Sequence, residues 1–135
     1  MNRRIQDIEG IGPKYAAVLK LAGVVHTGHL LQKGGTVRGR EELSNRTGIS
    51  GQLILKWVNM SDLFRIKGIA GQYAELLEAA GVDTVKELRN RNVQNLAEKL
   101  REVNAEKRLV RQVPGPSSVE SWIEQAIKLK PAVFY

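Results

Sequence analysis

The chain contains no cysteine in its 135 residues. Disulfides, thiolate zinc sites and cysteine nucleophiles are thereby excluded together. It has only 2 histidines, His26 and His29. Their H-x-x-H spacing can put both rings on one helical face, but a metal site needs further ligands and no acidic cluster stands beside them in sequence. Aromatic residues are 5% of the chain, so a core must be built from Leu, Ile, Val and Ala. No run of about 18 apolar residues offers a membrane span. The first ten residues, MNRRIQDIEG, carry charge but lead into no apolar stretch, so they do not read as a secretory signal. The phosphate loop G-x-x-x-x-G-K-[ST] and the nucleophile elbow G-x-S-x-G are both missing. Carboxylates are scattered, mostly beside basic residues. The expectation is a cytoplasmic protein that is not an enzyme and carries no cofactor and no metal.

What the chain does have is positive charge: 21 Lys+Arg against 14 Asp+Glu, a net +7. Such a balance favours a polyanionic partner, nucleic acid before an anionic membrane surface. A basic surface kept for solubility alone is the competing reading. The length suits one compact domain or two small ones.

The chain also repeats itself. "IEGIGPKYA" (Ile8 to Ala16) returns 58 residues later as "IKGIAGQYA" (Ile66 to Ala74). The same shift aligns Leu19 with Leu77, Ala22 with Ala80, Gly23 with Gly81, Val24 with Val82 and Leu30 with Leu88. This is an internal duplication. Trp57 and Trp122 recur at a wider interval, so the second copy has a longer middle.

Local signals predict many short helices and no strands. Ile5 and Ile8 lead a short helical turn into Gly10. Pro13 opens a helix, with its missing N–H costing nothing at the first position. Tyr15, Ala16, Val18, Leu19 and Ala22 form its apolar stripe, and Gly23 ends it. In the copy, Ser61 and Asp62 are the expected N-caps and Gly81 the stop. Asp83 or Thr84 caps a helix through Leu88, Asn92 caps a long amphipathic one, and Ser117 or Ser118 caps the last. The segment Gln32 to Arg40, rich in glycine and basic residues, is expected to be a mobile loop.

Apolar-x-Gly-apolar-Gly-x-x-x-Ala, spelled in full by Ile8, Gly10, Ile11, Gly12 and Ala16, resembles a helix-hairpin-helix motif. In the second copy Ala70 replaces the second glycine, and Gly71 follows. Gly48–Ser50 and Pro114–Ser117 look like degenerate partner hairpins. The whole chain is similar to an uncharacterised prokaryotic family catalogued as a domain of unknown function, with "YAELLEAAGVDTVKEL" (Tyr73 to Leu88) particularly typical. The resemblance implies an all-α fold of two tandem helix-hairpin-helix (SAM-like) domains, residues 1–60 and 61–135. Helix-hairpin-helix motifs in general grip the nucleic-acid phosphate backbone without reading sequence.

The physical basis is independent of the resemblance. A helix N-terminus presents unpaired N–H groups and the positive end of a dipole. The donors here would be the amides of Gly12, Lys14 and Tyr15, with Gly10 and Gly12 allowing close approach. Lys14 adds charge at the contact and Lys20 lies further along the helix. In the second copy the corresponding candidates are Lys67, Gly68 and Gly71, but Glu75 and Glu78 stand where the first has Ala17 and Lys20, and acids near a helix start repel a phosphate. Arg38, Arg40, Arg89, Arg91, Arg101, Lys107, Arg108 and Arg111 either extend a phosphate track or form solvated helix faces paired with glutamates. The leading expectation is non-sequence-specific nucleic-acid binding, DNA before RNA. The rival is a protein-interaction or scaffold module that docks onto a larger assembly.

Overall fold

The computed structural model describes residues 2–135. Among them are eight α-helices and no strand; the chain is all-α. A 3₁₀ turn at Ile5–Asp7 precedes α1 (Pro13–Leu21), α2 (Thr27–Gly34), α3 (Val37–Thr47), α4 (Gly51–Leu63), α5 (Gly71–Ala79), α6 (Val85–Leu88), α7 (Val93–Lys107) and α8 (Pro116–Lys128). No helix among the described residues is long and apolar enough to cross a membrane.

The repeat in sequence is a repeat in backbone. α1 and α5 both have nine residues and sit 58 positions apart. Both end the same way, on Gly23 and Gly81 at φ +83° and +93°. The Val24 and Val82 amides reach back to the Leu19 and Leu77 carbonyls at 2.9 and 2.8 Å, which satisfies acceptors the last helical turn leaves open. α4 and α8 have thirteen residues each, but their interval is 65. The extra length lies in α7, fifteen residues against eleven in α3, and in the longer turn that follows it.

Most expected caps are present. Thr84 Oγ1 accepts the Glu87 N–H at 3.3 Å, and Asn92 Oδ1 accepts the Asn95 N–H at 3.0 Å. Two expectations are corrected. Ser61 and Asp62 do not start a helix; both are buried inside α4. Ser61 donates to the Trp57 carbonyl at 2.9 Å, and Asp62 takes the Val85 N–H at 2.8 Å and Arg65 at 2.7 Å. Asp62 thus serves the start of α6 across the fold as well as Arg65 beside it. α8 is not capped by Ser117 or Ser118. It begins at Pro116 after Gly115, because proline holds the helical φ from the first position.

The Gln32–Arg40 segment is not a mobile loop. It holds the end of α2, two linking residues and the start of α3, with Thr36 Oγ1 capping the Gly39 N–H at 3.0 Å. Its glycines are there for proximity. A Cβ on Gly34 would lie 2.7 Å from Val58 Cγ2, and one on Gly35 2.5 Å from the Ala132 carbonyl.

One buried cluster runs through the chain. Leu19, Leu30, Ile54 and Val58 come from its first part, and Leu77, Leu88, Leu96 and Val119 from its second. Leu63, Phe64, Ile66 and Ile69 lie between them. Each such side chain contributes roughly 1.5–3 kcal/mol by leaving water. The last residues fold back onto the start of the chain. Phe134 N–H donates to the Gly35 carbonyl at 2.7 Å. Arg40, only 7% exposed, donates to the Gly34 and Phe134 carbonyls at 3.0 and 2.7 Å.

Candidate nucleic-acid interface

The first glycine turn is built on two buried isoleucines. Ile8 and Ile11 plug the core, and the Ile11 N–H donates to the Ile8 carbonyl at 3.2 Å. Between them Gly10 takes φ +94°, a conformation other residues reach only with strain. Trp57 of α4 stands directly behind it. A Cβ on Gly10 would lie 3.6 Å from the indole Nε1. Gly12 is the N-cap of α1, in an extended conformation, and its carbonyl accepts the Ala16 N–H at 3.0 Å.

With no side chain at Gly12 and Pro13 next, the start of α1 is exposed from Gly12 to Tyr15. No atom lies within 4 Å of where a Gly12 Cβ would be. The amides of Gly12, Lys14 and Tyr15 meet no acceptor among the described residues. Lys14 and Lys20 are exposed. Tyr15 is 37% exposed and stands edge-on to Trp57, centroids 5.1 Å apart.

The second turn repeats this frame more tightly. Gly68 takes φ +101°, and a Cβ there would come within 3.0 Å of Trp122 Nε1. Tyr73 packs on Trp122 at 5.6 Å, but its hydroxyl is held by the Gln112 carbonyl at 3.3 Å. The amides of Gly71, Gln72 and Tyr73 are also without acceptors among the described residues, yet their surroundings differ. Gln125 of α8 clasps Lys67 on both sides, accepting its N–H at 2.9 Å and donating to its carbonyl at 3.1 Å. Gly71 faces the Asp7 carbonyl, 3.4 Å from its Cβ position. The hollow in front is lined by Asp7, Glu9, Gln72, Tyr73 and Arg111.

Acidic charge surrounds that second helix. Partial burial raises the Glu75 carboxyl above the ordinary glutamate range; Glu9 and Glu78 push the same way and Lys56 opposes them. Glu78 is raised by burial and by Asp83, again against Lys56. A phosphate approaching α5 would meet these charges. Glu9 is the site residue that sequence reading passed over. Its signal was available, because it stands where the duplicate carries Lys67.

Several of the basic residues stand in separate settings. Arg40 is internal and belongs to the fold, so it leaves the set that could track a phosphate chain. Arg65 is likewise engaged, with Asp62 and with the Lys130 carbonyl at 2.8 Å. Arg38 pairs with Glu42 at 3.4 Å, both exposed, and lines a shallow hollow with Lys33 and Arg46. Arg101 lines another hollow beside Gly115 at the start of α8. No group of three His, Asp or Glu side chains among the described residues is placed to hold a metal ion. Sequence reading had seen the tryptophans recur. It had not seen that each one backs the first glycine of its own half.

The class these features define is an all-α protein in which a glycine turn leading into a nine-residue helix occurs twice. The family described as "Domain of unknown function (DUF4332)" matches residues 9–129, and the chain belongs to that family. No curated protein and no solved structure matches it.

Proposed function

We propose that the chain is a pair of helix-hairpin-helix domains, residues 1–60 and 61–135, whose first hairpin binds the phosphate backbone of nucleic acid, DNA in particular, without reading sequence. The observation that carries this reading is the open start of α1: three amides without acceptors, an unfilled space in front of Gly12, and Lys14 beside them. Such a terminus lowers the energy of an anion through both its N–H groups and its dipole. Gly10 shapes the turn, Tyr15 supplies an amide and a half-open ring, and Lys20 adds charge further along. Lys67, Gly68 and Gly71 serve chiefly to preserve the second hairpin, because Gln125 and the acidic wall occupy their surroundings.

Titration of duplex DNA at several salt concentrations tests the reading. Affinity is expected to fall steeply with salt. Lys14→Glu is expected to weaken binding by about tenfold or more at low salt and to flatten the salt slope by about one unit. Absence of binding at low salt, or equal binding by the variant, would sink it.

A second reading has its own observation. Leu21 is 87% and Val25 43% exposed, beside a shallow hollow lined by Ile5, Pro13, Ala16, Ala17 and Val24. That is the apolar surface a docking partner would cover. A partner that stays bound after nuclease treatment and is lost in Leu21→Asp, with no DNA binding by the free chain, would favour the interaction module.

A further inference from the structure

The two histidines start α2 in a way that has a built-in comparison. His26 is the N-cap, and its Nδ1 accepts the His29 N–H at 3.2 Å. The His29 Nδ1 reaches back to accept the Val25 N–H at 3.3 Å. The rings stack with centroids 3.6 Å apart and planes 20° apart. This is a capping box shifted at one bond: the third helical residue reaches back to the amide just before the N-cap instead of to the N-cap's own. Fifty-eight residues later ordinary residues make the same two bonds. Thr84 Oγ1 accepts the Glu87 N–H at 3.3 Å, and Glu87 Oε2 accepts the Asp83 N–H at 3.4 Å.

An imidazole nitrogen accepts a hydrogen bond only while it carries no proton. Each of the two bonds therefore requires an Nδ1 that carries no proton. A proton on either Nδ1 deletes one cap bond, sets N–H against N–H, and places a cation at the positive end of the helix dipole. Protonating both puts two like charges in stacked rings. No carboxylate offsets this, since neither ring joins an ion pair among the described residues. Among the charges on the elements packed around the box, Glu9 on the N-terminal segment and Glu41 on α3 are exposed carboxylates that join no ion pair among the described residues, and Arg46 on α3 and Lys56 on α4 add positive charge. Arg3 and Arg4 lie on the N-terminal segment, Arg4 pairing with Asp7 at 3.4 Å. Lys33 lies further along α2. On α3 Arg38 pairs with Glu42 and Arg40 is bound to carbonyls, and on α4 Asp62 is paired with Arg65.

The same turn anchors the start of the chain. Thr27 N–H donates to the Arg3 carbonyl at 2.8 Å, Arg3 N–H to Thr27 Oγ1 at 3.1 Å, and Ile5 N–H to the Val25 carbonyl at 3.1 Å. Residues 3–5 lead straight into the Ile8–Pro13 turn. We propose that the His26–His29 box is an acid-released latch. At neutral pH it caps α2 and holds residues 3–5. As pH falls through the range where imidazoles take a proton, it opens. The Thr84–Glu87 box, which contains no imidazole, stays shut over that range.

Backbone amide exchange followed by NMR between pH 7.5 and pH 5, expressed as protection factors, tests this on the intact chain. Protection at Val25, Thr27 and His29 is expected to fall about tenfold or more, the effect of losing a helix cap and gaining an adverse charge. Asp83 and Glu87 are expected to hold theirs. The double variant His26→Thr, His29→Glu rebuilds the box of the second repeat and is expected to abolish the fall. Unchanged protection in the wild type down to pH 5, or an equal fall in the double variant, would overturn the proposal. If that variant does not fold, His26→Thr, His29→Gln asks the same question, since neither side chain titrates and the amide oxygen can accept the Val25 N–H. A fall at Asp83 and Glu87 matching that at Val25 and His29 would also overturn it, as general loosening.

Discussion

Trp57 and Trp122 do the same work in two places. Each is nearly fully buried and presents its indole edge to a glycine in the left-handed region and its ring to a tyrosine. Truncating either to alanine removes a large side chain from a closed space and is expected to cost about 3–5 kcal/mol. Denaturant midpoints measure this, and a midpoint unchanged in both variants would show that neither ring is structural. The glycines should separate the copies. Ala at position 10 or 68 forces a residue into a conformation that costs about 1–2 kcal/mol. At 68 the indole nitrogen would also stand 3.0 Å from the new Cβ, against 3.6 Å at 10. Gly68→Ala is therefore expected to be the more destabilising of the two by urea titration. At this scale the sequence was informative where a residue's role is local. Gly23, Pro13, Thr84 and Asn92 act on neighbours within a turn, and their identity alone announces them. Gly34 and Gly35 announced the wrong thing. Their composition suggests flexibility, yet their smallness answers to Val58 and Ala132, which are remote in sequence.

At the scale of elements, α1 and α5 are one helix given two electrostatic characters. Lys14, Ala17 and Lys20 on the first become Gln72, Glu75 and Glu78 on the second. Glu75 and Glu78 hold their protons more tightly in the folded chain than in an unfolded one, because burial raises both. The folded state then binds more protons than the unfolded one just above the ordinary glutamate range, so stability falls as pH rises through it. Glu75→Gln and Glu78→Gln are each expected to raise stability at pH 7, seen as a higher melting temperature, by well under about 1 kcal/mol for such partly exposed groups. The gain is expected to vanish near pH 3, where the glutamates are protonated in both states. A larger gain at pH 3 than at pH 7 would contradict this. The contrast between the two helices was legible in the aligned sequences. That Glu9 of the first turn faces Glu75 of the second was not, because nothing local in either segment places one turn against the other's helix.

At the scale of the whole molecule, Arg40 joins the two ends of the fold. Its guanidinium is buried and donates to Gly34 and Phe134. Removing it leaves two carbonyls short of a donor, and the expected cost of Arg40→Ala is about 2–4 kcal/mol. Arg40→Lys is expected to recover little, since one ammonium does not reproduce the planar fork. Chemical denaturation of both variants checks the pair, and a lysine variant as stable as wild type would show that charge alone suffices. In sequence Arg40 looks like a surface cation, because it sits in a basic, glycine-rich stretch. Its acceptor at Phe134 lies 94 residues away, and no periodicity connects the two.

That separation also sets an order of events in time. A chain emerging from the ribosome presents Arg40 long before it presents Phe134. Domains tend to fold as they emerge, N-terminal parts first. From the time residue 40 is made until residue 134 is made, the first half must therefore keep a cation hydrated at a place that will finally be closed. α2, α3 and α4 can assemble early, but the seam over Gly35 is sealed only when Ala132 and Phe134 reach it. The first repeat thus becomes complete only after the second has been made.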